Sequence, residues 1–169
     1  MSCVQTGYFM SSYKLFPEGY LRKQKSASGD VYFETTFTTS PHAKVPHLDV
    51  KGDTGNFVYT VSKMPPGRSY MAYWTNCSWT EYSRIWGEVT SIPTRYRQIT
   101  VEELISQTPD LEFGREVGDM FSYSTDPGYD GNDERLLTAQ DIRNEGIDCQ
   151  MTSLKKWMEK EDWSRVLNK

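Results

Sequence analysis

Three cysteines and two histidines are the residues of this 169-residue chain best suited to nucleophilic or metal chemistry. Cys77 is the candidate nucleophile and His47 its candidate base. A thiolate attacks where a thiol does not, so Cys77 would need a helix N-terminus or an imidazole beside it, and His42 and His47 both lie upstream. The histidines make a poor metal pair, because a separation of five residues puts them on neither one helical face nor one strand face. Asp126, Asp130, Asn132, Asp133 and Glu134 crowd together around two glycines, but they lack the oxygen spacing of a calcium loop. That segment reads as solvated acidic loop, and neither a metal nor another cofactor is expected. The densest chemistry is aromatic: Tyr70, Tyr73, Trp74, Trp79, Tyr82 and Trp86 fall within seventeen residues. Each ring carries about 150 to 250 Å² of surface, so this cluster is the expected ligand- or partner-binding site, against the plainer reading of a bulky core.

Asn76-Cys77, followed by Gly87 and Ser91, resembles the Asn-Cys signature of the permuted papain-like acyltransferases and hydrolases, over about 16 residues. The resemblance implies a thiol acyltransferase or hydrolase in which an upstream histidine activates the cysteine. Trp79 departs from that pattern, which has a smaller or polar residue there. Alternation from Tyr73 through Thr75 puts Cys77 on the same side as Met71, a core-facing series, and this favours a structural cysteine.

Composition limits the remaining classes. With 37% apolar, 25% charged and 14% aromatic residues the chain is expected to fold. No wholly apolar run, that through Met71 to Trp74 included, approaches the roughly 20 residues of a membrane helix. The first ten residues carry no basic cluster, so no secretory leader is expected, and three widely spaced cysteines without a CxxC pair suggest the reducing cytoplasm. Net charge is −4, but residues 1 to 99 hold 11 Lys and Arg against 7 Asp and Glu, whereas residues 100 to 169 hold 8 against 16. Such an acidic field repels DNA. It argues against reading Thr138 to Trp157 as a helix-turn-helix in which Lys155, Lys156 and Lys160 reach phosphates. The clusters Arg22, Lys23, Lys25 and Arg95, Arg97 read as solvated strand faces.

The elements that would position these residues change type near Ile99. Before it, Val31 to Thr39 alternates as a half-buried strand, with Ser28-Gly29-Asp30 turning from a strand at Tyr20 to Lys25. Further strands are expected at Val45 to Val50, Asn56 to Lys63, Ser69 to Cys77 and Tyr82 to Ser91, with a hairpin at Pro65-Pro66-Gly67. After it, Thr100-Val-Glu-Glu103 and Thr138-Ala-Gln-Asp141 are capping boxes for short helices. Asp110 to Asp148 reads mostly as acidic loop. The C-terminal helix carries two apolar stripes, one at Leu154, Trp157 and Met158 and the other at Trp163, Val166 and Leu167, so it bends near Glu161.

The expected fold is therefore α+β: an antiparallel β barrel or sandwich over residues 1–99, with a helical, acidic region over 100–169 packed on it. The leading functional expectation is a non-enzymatic interaction protein acting through protein–protein contacts or self-association, as a subunit of an assembly. The alternatives are a β-barrel holding a small apolar ligand and the Cys77/His47 enzyme. No membrane or nucleic-acid partner is expected.

Overall fold

The computed structural model describes residues 1–168. Its first half contains β1 (Cys3–Thr6), β2 (Tyr8–Phe9), α1 (Pro17–Tyr20), β3 (Arg22–Lys25), β4 (Val31–Phe37), β5 (Lys44–Leu48), α2 (Thr54–Val61), β6 (Ser69–Ala72) and β7 (Thr75–Ser78). Then follow α3 (Trp79–Thr90), β8 (Thr94–Gln98), α4 (Val101–Ser106), α5 (Leu111–Tyr123), α6 (Ala139–Asn144), α7 (Leu154–Lys160) and α8 (Ser164–Leu167).

No barrel or sandwich forms. The strands make three small sheets, β1-β6, β2-β5-β7 and β3-β4-β8. β1 runs parallel to β6, β2 to β5 and β4 to β8, while the β3–β4 hairpin is antiparallel. The expected all-antiparallel domain fails because two of its strands are helices. In Asn56 to Lys63 the apparent alternation of Phe57, Tyr59 and Val61 gives way to burial of Phe57, Thr60 and Val61, the three-and-four spacing of a helix face, and Tyr59 is turned outward. In α3 the buried residues are Trp79, Tyr82, Ser83 and Trp86, again at helical spacing. Its start is fixed by a reciprocal cap. The Ser78 hydroxyl accepts from the Glu81 N–H at 3.2 Å, and the Glu81 carboxylate accepts from the Ser78 N–H at 2.8 Å. The Pro65-Pro66-Gly67 turn thus joins α2 to β6 and closes no hairpin.

The expected acidic loop contains the longest helix, α5. Its glycines let it approach α4 closely: a Cβ on Gly114 would lie 3.1 Å from the Ile105 Cα, and one on Gly118 would lie 3.0 Å from a Val101 methyl. The hairpin at Ser28-Gly29-Asp30 and the bend at Glu161 form as expected, Gly29 taking a φ of +91° and Glu161 extended backbone.

Two compact units are interleaved along the sequence. The first comprises Met1–Ser12, Pro46–Asn76 and Asp133–Glu161. Its core packs Leu48, Phe57, Val61, Tyr70 and Ile142, and Leu137 extends the β1-β6 sheet through its bridge to Tyr70. The second comprises Tyr13–Val45, Cys77–Asn132 and Asp162–Lys169. There α3 lies on one face of β3-β4-β8. The Phe33 and Trp86 rings are 5.3 Å apart, the Ser83 hydroxyl donates to Thr35 at 2.9 Å, and Phe37 sits 4.5 Å from Trp79 and is stacked on Phe121 at 4.0 Å. On the other face Glu34, 3% exposed, accepts from Arg95 at 2.6 Å and from Arg97 at 3.4 Å. Among the described residues no helix is long and apolar enough to cross a membrane.

Candidate functional site

Cys77 closes β7 immediately before the Ser78 cap of α3, in the second unit, and is buried. Its thiol is pushed up to about 12, chiefly by loss of water and then by the Glu81 carboxylate, with Lys44 and Arg84 only partly opposing. Proximity to a helix N-terminus does not offset that desolvation, so little thiolate is available near neutral pH. His47 lies in β5 of the first unit, fully buried, with the Tyr8 ring edge-on at 6.1 Å. Cys3 is exposed and Cys149 buried, and none of the three cysteines is in a disulfide among the described residues. Among the described residues no cluster of His, Cys, Asp and Glu is arranged to hold a metal ion.

The aromatic cluster is divided. Trp79, Tyr82 and Trp86 are buried in the second unit, where Trp79 and Tyr82 sit 5.0 Å apart and Trp86 meets Trp163 edge-on at 5.6 Å. Tyr70 is buried in the core of the first unit. Tyr73 and Trp74 are half-buried, and the Arg143 guanidinium lies 5.4 Å over the Trp74 ring.

A concave feature of ligand size lies elsewhere, in the second unit: a cavity of about 510 Å³, within the range of small-molecule pockets. α1 and the chain entering it supply Phe16 and Pro17, the α1–β3 junction supplies Leu21, and Phe33 of β4 forms the wall toward α3. Arg22 and Lys23 from β3 and Glu18 from α1 charge its rim. The turn after α4 brings Gln107 and Pro109, and Val166 of α8 completes the lining. Gln107 donates through Nε2 to Glu103 at 3.3 Å, and its Oε1 is buried with no hydrogen-bond partner among the described residues. Sequence reasoning singled out Arg22 and Lys23 only as a basic cluster. Gln107 and Pro109 carried no signal, and Val166 only that of an apolar stripe, since all three reach the cavity from remote segments. A second hollow, of about 480 Å³ in the first unit, is flanked by the ion pairs Arg68–Glu145 at 2.5 Å and Arg135–Asp133 at 2.8 Å, so its charges are already matched.

The fold recurs in solved structures. A nucleoside-diphosphate-sugar epimerase from Staphylococcus aureus superposes with a TM-score of 0.64 at 15% identity, over 94% of this chain and 52% of that one. NmrA, a negative transcriptional regulator solved in complex with NAD, gives 0.60 at 13% identity, over 93% and 51%. A triphenylmethane reductase from Citrobacter sp. gives 0.54 at 12% identity, over 80% and 45%. The fold is NmrA-like. The chain spans about half the length of these structures. No protein-family model matches it, and no curated protein matches it in sequence.

The NmrA-like fold overturns the barrel and, with it, the apolar ligand inside a barrel. It likewise overturns the expectation of an assembly subunit acting through protein contacts or self-association. The fold belongs to regulators, epimerases and reductases, of which NmrA is described with NAD and with NADP.

Whether this chain's own residues fit such a dinucleotide can be tested at the turn after β5. Gripping a pyrophosphate takes a strand, a glycine-rich turn whose glycines leave room for it, and a helix N-terminus pointing at it. No G-x-G-x-x-G occurs in the sequence. The nearest arrangement is Gly52-Asp53-Thr54-Gly55, which runs from the turn after β5 into the first residues of α2. The space a Cβ of Gly52 would take is occupied by the Asp49 carboxylate, 2.5 Å away, which also accepts from the Gly52 N–H at 3.1 Å. Asp53 heads the helix and holds Thr152 through its N–H at 2.7 Å and its hydroxyl at 3.1 Å. Two carboxyl groups thus stand at this turn, and their negative charge does not fit a pyrophosphate.

Proposed function

We propose that this chain supplies the ligand-recognition half of an NmrA-like regulator or oxidoreductase, in which the nucleotide cofactor is gripped by residues outside the chain. The observation that carries this reading is a pairing. Over 93% of its length the chain follows a structure described with NAD, while its strand-glycine-helix turn at Gly52 carries the carboxylates of Asp49 and Asp53. What the chain does offer is the cavity of the second unit, with an apolar wall and a charged rim. A reducing compartment belongs to the same proposal and is supported by three cysteines, none of them in a disulfide among the described residues.

Calorimetric titration of the chain with NAD, NADP and NADPH tests it. No saturation is expected up to about 1 mM, a concentration corresponding to roughly −4 kcal/mol of binding. Saturable binding of any of the three at micromolar concentration would overturn the division of labour.

A further inference from the structure

We infer that Ser28, at the tip of the β3–β4 hairpin, is a phosphorylation site for a serine/threonine protein kinase that selects basic substrates. The sequence supplies the recognition. Arg22, Lys23 and Lys25 precede Ser28 with no acid between Arg22 and Gly29, so the charge pattern a kinase reads lies wholly on the N-terminal side. In an extended strand alternate side chains point the same way, so Lys23 and Lys25 share one side of β3, and both are exposed. The fold supplies the presentation. β3 is an edge of the β3-β4-β8 sheet, and among the described residues no strand pairs with its outer side, so the basic segment is held extended and open to an incoming cleft. Ala27, Ser28, Gly29 and Asp30 are all exposed, and the Ser28 hydroxyl is tied only at the surface, where it shares a hydrogen bond with Ser26 and donates to the Asp30 carboxylate. Such bonds open at little cost. Ser26 is the less suited acceptor, because it is half-buried and built into the last rung of the hairpin. Its Oγ accepts from the Asp30 N–H at 3.0 Å, and its own N–H donates to the Asp30 carbonyl at 2.9 Å. In the transfer the Ser28 Oγ attacks the γ-phosphorus of ATP. An O–P bond forms as the bond to the ADP oxygen breaks, and the hydroxyl proton passes to a base of the kinase. The product sets a charge of about −1.5 to −2 beside the Asp30 carboxylate that the hydroxyl had bonded, so repulsion replaces a hydrogen bond and the turn loosens.

The full chain, incubated with magnesium ATP and the catalytic domain of protein kinase C, tests this, with casein kinase as an acid-directed control and tandem mass spectrometry to map the phosphate. One phosphate is expected, on Ser28 and from the basic-directed enzyme alone. Because the tip opens readily, the folded chain should be phosphorylated at a rate within about tenfold of that of the free peptide 20–32. Lys25→Gln should slow the transfer by about tenfold, and Ser28→Ala should abolish it, with far-UV circular dichroism confirming the fold of each variant. The site mapped in the native chain decides the matter even where a variant fails to fold. No incorporation, a phosphate on Ser26 or elsewhere in place of Ser28, equal transfer by casein kinase, or a peptide rate more than about tenfold above that of the folded chain would each overturn the inference.

Discussion

Asp53 is a carboxyl group taken largely out of water, and among the described residues no cation pairs with it. Desolvation is the main force raising its pKa above the ordinary 3.8, the Thr152 hydrogen bonds oppose it, and the Asp49 charge adds to the rise. Between 3.8 and its raised value the folded state holds a proton that the unfolded chain has released. The stability this contributes is fully present below 3.8 and is lost as pH rises through the folded value. Asp53→Asn keeps an acceptor for Thr152 without the buried charge, so relative to the native chain it should gain stability between pH 4 and pH 7. Asp53→Ala strands the Thr152 N–H and should cost about 1 to 3 kcal/mol at both values. Urea denaturation of the three proteins at the two pH values measures this. Cys77 gives the second prediction at this scale. Its raised, buried thiol should react with iodoacetamide only on unfolding, long after exposed Cys3, whereas rapid native labelling would restore it as a nucleophile. The sequence pattern indicated which side of its strand Cys77 faces. It could not show the cavity, because Gln107 becomes an unpaired acceptor only once α4 and β3 are neighbours.

Caps were the most readable features among the elements. Thr138 and Asp141 form the full reciprocal pair, while Thr100 accepts from the Glu103 N–H and the Glu103 carboxylate turns to Arg97 at 2.8 Å. The same signature stands at Ser78-Trp-Thr-Glu81, and it would have revealed α3 had it been weighed against the β propensity of Trp79, Tyr82 and Trp86. Ser78→Ala should cost about 1 kcal/mol by chemical denaturation. The long helix α5 was hidden by its two glycines, which lower helix propensity but are needed where α4 and α5 touch. Their substitutions should differ. A Cβ at Gly114 meets backbone and should destabilise by about 1 to 3 kcal/mol, whereas one at Gly118 meets only side-chain methyls of Val101 and Leu104, so the gain in helix propensity offsets most of the strain. Equal melting temperatures for Gly114→Ala and the native chain would show that α4 and α5 are less closely apposed than described.

For the molecule as a whole, pairing between distant segments defeated the barrel reading. Parallel register such as Cys3 with Ser69, or Phe33 with Thr94, leaves no local turn signal, unlike the β3–β4 hairpin that Ser28-Gly29-Asp30 announces. Two helices alternating like strands then completed a plausible but incorrect antiparallel series. The absence of G-x-G-x-x-G is legible in the sequence, and it gains meaning only beside a fold whose solved members include proteins described with NAD and NADP. The central claim is that this chain does not itself grip a dinucleotide. ¹H–¹⁵N correlation spectra of the labelled chain, titrated with NADP, test it residue by residue. The account predicts unmoved amides at Gly52, Thr54 and Gly55 up to millimolar NADP. Saturable shifts at Gly52 to Gly55 at micromolar NADP would contradict it.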